Sequence, residues 1–202
     1  MKMNLPNKLT VLRMIMVPIF VVVLMVSDAV WATSVGIALF IAASLTDMLD
    51  GKIARKYNLV TDFGKFLDPL ADKCMVIGAM LVILFRAVMA EQPNALFCNL
   101  FFWAVMIVIF RELAVTSIRL VVSGSSGIVI AANMLGKIKT CTQIACVICC
   151  IAEPVIYDLL GQEKLLKLLP ASLVTSALML IFTLWSGINY IVSYWKYLDP
   201  EK

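Results

Sequence analysis

The sequence predicts an all-α integral membrane protein, with six transmembrane helices around a polar cavity open to the cytoplasm, in one domain covering residues 1–202. Three observations predict it. Hydrophobic residues make up 62% of the chain and the mean hydropathy is +0.99, beyond the apolar half expected of soluble domains. Aspartates are collected in one stretch, DMLDGKIARKYNLVTDFGKFLDPLAD, from Asp47 to Asp72, four of them in two spaced pairs. The apolar runs on either side of it, Val30–Leu45 and Cys74–Phe85, are shorter than the roughly 20 residues a span needs. They reach full length only if the polar stretch belongs to the same helices. Polar groups at that depth are tolerated where they line a watered, protein-walled cavity.

In chain order, the first helix runs from about Asn7 to Val26 with Pro18 inside it, which a membrane helix tolerates. The second covers Val30 to Tyr57 and the third Phe63 to Met89. The fourth runs from Ala95 to Val122, where SGSSG (Ser123–Gly127) acts as a breaker. The fifth covers Ile130 to Tyr157 with a bend near Pro154. The sixth runs from Ala171 to Tyr197, with Trp195 and Tyr197 as interfacial aromatics. No Pro/Gly/Ser-rich linker and no internal repeat divides the chain. The apolar run Met14–Val26 is followed by no small-residue cleavage site, which argues against a cleavable signal. Of the 17 Lys and Arg residues, only Arg86, Lys164 and Lys167 fall at one set of helix ends. The positive-inside bias therefore puts both termini and the aspartates on the cytoplasmic side.

Asp47 and Asp50 are three apart, and Asp68 and Asp72 four apart, so each pair shares a helix face. Gly51 and Ala54 fall in the same quadrant as the first pair, and Gly64 in that of the second. Small residues beside carboxylates leave room where a packed core would place Leu. Such a gap suits divalent cations with oxygen ligands, and through them phosphates. The plainer alternative pairs the aspartates with Lys52, Arg55, Lys56 and Lys65 on a solvated loop.

Written out, the stretch is D-x2-D-G-x2-A-R-x8-G-x3-D-x3-D, carried by Asp47, Asp50, Gly51, Ala54, Arg55, Gly64, Asp68 and Asp72. It resembles, without departure, the signature of the CDP-alcohol phosphotransferases, membrane enzymes that move a substituted phosphate from a CDP-linked donor to an alcohol. Similarity to the bacterial phosphatidylglycerophosphate synthase branch extends to NLPNKLTVLR at the N-terminus and to VIAANMLGKIKT near position 135. The resemblance implies CDP-diacylglycerol as donor, glycerol 3-phosphate as acceptor, surrounding membrane lipids, a homodimer and no nucleic-acid partner.

It also implies two Mg²⁺ or Mn²⁺ ions on Asp47, Asp50, Asp68 and Asp72. Asp68 would bridge, and the ions would lie about 4 Å apart as in other two-metal sites. The chain has no His, and the resemblance assigns Asp72 as the base that takes the acceptor's proton. Nothing near the motif looks like an activated nucleophile, because Thr46 and Thr61 lack an adjacent base. Direct transfer is therefore the expected route. Gly51, Ala54 and Gly64 would let the nucleotide lie against the helix backbones, and Arg55 would face the donor phosphates unless it snorkels at the interface. Asn7 and Thr10, with Arg13, would close the nucleotide pocket, although Asn7 also reads as a helix N-cap.

For the acceptor, Arg111 and Arg119 share a helix face, and Lys137 and Lys139 begin the next helix. Together they can grip a phosphate, the arginines with forked contacts and the lysines as point charges. Arg111, deep in an apolar run, also reads as a buried partner of Glu112. Inositol phosphate, serine or phosphatidylglycerol are alternative acceptors on the same fold. A small cation transporter is the reading from another class, because intramembrane carboxylates also mark ion paths. Of the six cysteines, Cys146-x2-Cys149 has a metal or redox spacing, but without His or a second pair small-residue packing is the better reading.

Overall fold

The computed structural model describes residues 4–57, 61–126 and 134–195, without the side chains of 48, 50, 52, 54–56, 62, 65 and 123–126. Every element among the described residues is helical: α1 (Leu5–Val26), α2 (Val30–Lys56), α3 (Asp62–Met89), α4 (Ala95–Ser126), α5 (Met134–Leu159), the short α6 (Glu163–Leu168) and α7 (Pro170–Tyr194). α1, Val30–Asp47 of α2, α5 and the stretch Glu163–Tyr194 are long and apolar enough to cross a membrane. α3 and α4 carry charged residues part-way along their length.

Three details differ from the sequence expectation. The N-cap of α1 is Asn4, whose side chain accepts from Asn7 N at 3.1 Å, so Asn7 lies inside the helix. α4 does not stop at Val122 but continues through Ser123 to Ser126. Ser and Gly weaken a helix by about 1 kcal/mol or less each, too little to break one already long and packed. Finally, α6 precedes the last helix, and Leu169 forms the joint in the left-handed region at φ 49°. Residues 130–133 and 196–202, which held the expected start of the fifth helix and end of the sixth, lie outside the described residues.

α1 packs most extensively on α2 and α3, and α7 on α4 and α5, while α3 and α5 bridge the two groups. Phe20, Leu24, Phe40, Met80, Phe101 and Met179 are among the residues of the shared apolar core. The surface is inverted relative to a soluble protein. Val22, Phe110, Leu120 and Val192 are each more than half exposed, while Arg13, Gln143, Ser176 and Thr183 are buried. Large apolar residues outside and polar ones inside are what lipid as solvent selects, and the protein is a membrane protein.

The end of the bundle away from the aspartates is closed by polar struts. Arg86 donates to Asp28 Oδ1 from Nε at 3.0 Å and from Nη2 at 2.5 Å, tying α3 to the α1–α2 connection. Asn94 accepts from Phe97 N at 3.0 Å and donates to the carbonyls of Lys167 and Leu168 at 2.7 and 3.1 Å. Buried Glu153 of α5 accepts from Ala171 N at 2.8 Å and Ser172 N at 2.6 Å. It thus caps α7 from another helix and favours its positive end. This cap holds the joint at Leu169, where a left-handed leucine costs roughly 1–2 kcal/mol.

Candidate active site

At the opposite end, the first turns of α1 meet the motif helices. Thr61 caps α3 by accepting from Gly64 N at 3.1 Å, and its hydroxyl donates to Asn7 Oδ1 at 3.0 Å. Gly64 is the close-approach point of this corner: a Cβ there would lie 3.0 Å from Asn7 Oδ1 and 3.3 Å from Thr61 Oγ1. One turn further along α1, the Thr10 hydroxyl sits 2.7 Å from Asp68 Oδ1 and 3.1 Å from the Pro6 carbonyl. Next, Arg13, fully buried, donates from Nη1 to Asp47 Oδ1 at 2.5 Å. α1 therefore holds one carboxylate of each motif helix, and Asn7, Thr10 and Arg13 all face the motif.

A second cluster joins α4, α5 and α7. Glu112 Oε1 accepts from Arg111 Nη1 at 3.1 Å and from Lys139 Nζ at 2.5 Å. Arg111 Nη2 donates to Ser186 Oγ at 2.9 Å. Gly187 makes room for the arginine stem, because a Cβ there would meet Arg111 Cγ at 3.0 Å. Arg111 thus takes the pairing with Glu112 that the sequence left open. Arg119 is exposed, with its guanidinium 5.9 Å from the centre of the Tyr190 ring, a cation–π distance. Lys137 is exposed at the start of α5.

Asp72 connects the clusters. It lines one cleft with Lys73, Glu112, Lys139, Thr140 and Gln143, and the charges bearing on it are those of Asp47, Lys139, Glu112 and Lys73. The fold thus brings Asn7, Thr10, Gly64, Asp47 and Asp68 to one corner, and Asp72 and Lys139 to the adjoining cleft, to which Arg111 is tied through Glu112. Gly51 lies on α2 beyond Asp47. The side chains of Asp50, Ala54 and Arg55 lie outside those described.

The carboxylates offer only hard oxygen donors, the chemistry that magnesium and manganese take, so the donor set fits such ions. Among the described residues no three carboxylates or thiols converge tightly enough to hold one. Arg13 and Thr10 engage one oxygen each of Asp47 and Asp68. The cysteines are free thiols, and the close pair is Cys146 with Cys150, sulfurs 3.8 Å apart beside Ser176.

Sequence reasoning placed Glu112 beside Arg111 but missed that it also holds Lys139, and it did not single out Gln143, which is buried in the cleft. The available signals were an acid next to an arginine in an apolar run, and a lone amide one turn after Lys139.

Comparison with known proteins agrees with the motif. Residues 3–195 match the family described as CDP-alcohol phosphatidyltransferase. The chain is 40% identical to a Bacillus subtilis protein named CDP-diacylglycerol–glycerol-3-phosphate 3-phosphatidyltransferase, with 98% of each chain covered. It is 33% identical to a probable phosphatidylglycerophosphate synthase of Mycobacterium tuberculosis, over 93% of this chain and 80% of that one. It is 31% identical to CDP-diacylglycerol–glycerol-3-phosphate 3-phosphatidyltransferase 2 of Arabidopsis thaliana, over 96% of this chain and 81% of that one. With its eight signature positions, its membrane fold and these full-length likenesses, the chain belongs to the CDP-alcohol phosphatidyltransferase family.

Proposed function

We propose that this protein transfers the phosphatidyl group of CDP-diacylglycerol to sn-glycerol 3-phosphate, giving phosphatidylglycerol phosphate and CMP. The observation that carries the reading is the shared cleft: Asp72, Lys73, Glu112 and Lys139 line one space, and Arg111 is tied to it through Glu112, so a proton acceptor stands beside cations suited to a phosphate. The names of the full-length relatives point to the same pair of substrates.

The donor lies in the α1–α3 corner, its nucleotide against Gly51, Ala54 and Gly64, with Asn7 and Thr10 closing the pocket and Arg55 on its phosphates. Asp47, Asp50, Asp68 and Asp72 would hold two Mg²⁺ or Mn²⁺ ions, which would neutralise the diphosphate. Arg111, Arg119, Lys137 and Lys139 attract and orient the acceptor's phosphate. The acceptor's primary hydroxyl oxygen forms a bond to the phosphorus that carries diacylglycerol, and its proton goes to Asp72. The bond from that phosphorus to the bridging oxygen breaks, and CMP leaves with the electron pair.

The partition of substrates is testable by kinetics. Removing one charge-assisted phosphate contact costs about 1.5–3 kcal/mol, tenfold or more in affinity. Arg119→Ala and Lys137→Ala should each raise the KM for glycerol 3-phosphate far more than that for CDP-diacylglycerol, and Arg55→Ala should show the opposite bias. Equal weakening toward both substrates by the first two variants would make those residues scaffolding.

The active site faces the cytoplasm in this reading, where glycerol 3-phosphate is available. Two single-cysteine proteins lacking the six native thiols test it, with Lys8→Cys at the start of α1 and Glu163→Cys at the start of α6, both exposed positions. An impermeant thiol reagent should label Glu163→Cys in intact cells and Lys8→Cys only after the membrane is opened. The reverse pattern would overturn the orientation.

A further inference from the structure

Gln143 stands out in the cleft. It is 1% exposed, and its Nε2 has no hydrogen-bond partner among the described residues. A buried donor without an acceptor is a standing penalty that folded proteins avoid. The other polar groups around it are engaged: Lys139, one helical turn earlier on the same face, donates to Glu112, and Glu112 also holds Arg111. The Thr140 hydroxyl donates to the Gly136 carbonyl at 3.1 Å. Among the described residues that line the space shared with Asp72, Gln143 is the one with a buried side-chain donor left unpaired.

A carboxylate that takes a proton from one hydroxyl and a neutral amide that donates to another are complementary to two adjacent hydroxyl groups. The nearby cations fit a phosphate on the same small molecule. We propose that Gln143 is a specificity-determining residue: its amide donates to the secondary hydroxyl of the acceptor, next to the primary hydroxyl that attacks. This rests on the acceptor reading given above and sharpens it, because a phosphate-bearing alcohol without that second hydroxyl would leave the amide unpaired. Sites built to bond a substrate hydroxyl reject the analogue lacking it, and much more strongly than apolar pockets reject an added group.

The test compares glycerol 3-phosphate with 3-hydroxypropyl phosphate, which lacks only the secondary hydroxyl, using the purified full-length enzyme with CDP-diacylglycerol. The unsubstituted enzyme should favour glycerol 3-phosphate in kcat/KM by about tenfold or more, the worth of at least one buried hydrogen bond. Gln143→Met keeps the length of the side chain and removes the donor. It should lose activity toward glycerol 3-phosphate, keep its activity toward the analogue, and so bring the ratio close to one. Because both acceptors are measured on the same preparation, partial misfolding cancels from the ratio, and Gln143→Leu gives a second reading if the Met variant is not recovered. Undiminished discrimination in the variants, or equal losses toward both acceptors, would overturn the role of Gln143 while leaving glycerol 3-phosphate as acceptor. Equal losses are what an amide that merely holds a buried water would give. Failure of the unsubstituted enzyme to turn over glycerol 3-phosphate at all would overturn the acceptor assignment, and this inference with it.

Discussion

Asp68→Asn is expected to abolish transfer, a loss of at least about 10²–10³-fold, the scale seen when one electrostatic group is removed from a reacting centre. The substitution keeps size and leaves an amide oxygen to accept from Thr10, whose hydroxyl lies 2.7 Å from Asp68 Oδ1. The bundle should therefore still fold, with unchanged helix content and membrane insertion. What disappears is one negative charge on α3 facing α1, and with it the bridging position for divalent ions. The measurements are CMP release at saturating Mg²⁺ and metal affinity by calorimetry in detergent. Appreciable turnover by the variant would rule out a bridging role.

The second large effect is structural as well as functional. Glu112 is the single described carboxylate paired with both Arg111 and Lys139, and all three side chains are largely buried. Glu112→Ala leaves two buried cations uncompensated, and breaking a buried pair in this way costs roughly 3–5 kcal/mol. The expected result is a marked fall in the detergent Tm and a raised KM for glycerol 3-phosphate, as the two cations move apart. The double variant Glu112→Met, Lys139→Met removes charge of both signs and should recover much of the Tm, since replacing a buried pair with apolar side chains is often neutral. It should not recover acceptor binding. An unchanged Tm and acceptor KM in Glu112→Ala would show that the cluster neither holds the helices nor prepares the pocket.

The long helices were legible because their signal is local. Apolar runs and the three- and four-residue spacing of the aspartates report which side chains share a face. The motif helices and the small residue at Gly64 follow from such spacing, whereas the capping of α3 by Thr61 was not read from it. What crosses from one helix to another was not legible. Arg13 meets Asp47 across 34 positions, Lys139 meets Glu112 across 27, and Glu153 caps α7 from α5. Periodicity says that a polar residue points inward but not which partner it finds. Glu112 read as a neighbour of Arg111 and proved to hold Lys139 as well. α6 escaped because six residues, Glu163–Leu168, are too few to establish a period.

The Arg13–Asp47 pair bears on how the chain enters the membrane. An arginine carried into lipid on a lone helix is unfavourable by about 2.5–3.5 kcal/mol on insertion scales. Arg13 is fully buried against its partner, so it does not escape that penalty by reaching for water. The compensating carboxylate lies on the very next helix, and only residues 27–29 separate α1 from α2. The neutral unit is therefore the hairpin, and α1 reaches its final depth at least cost when α2 arrives with it. Delivery of the two helices together is the path of least cost for this pair.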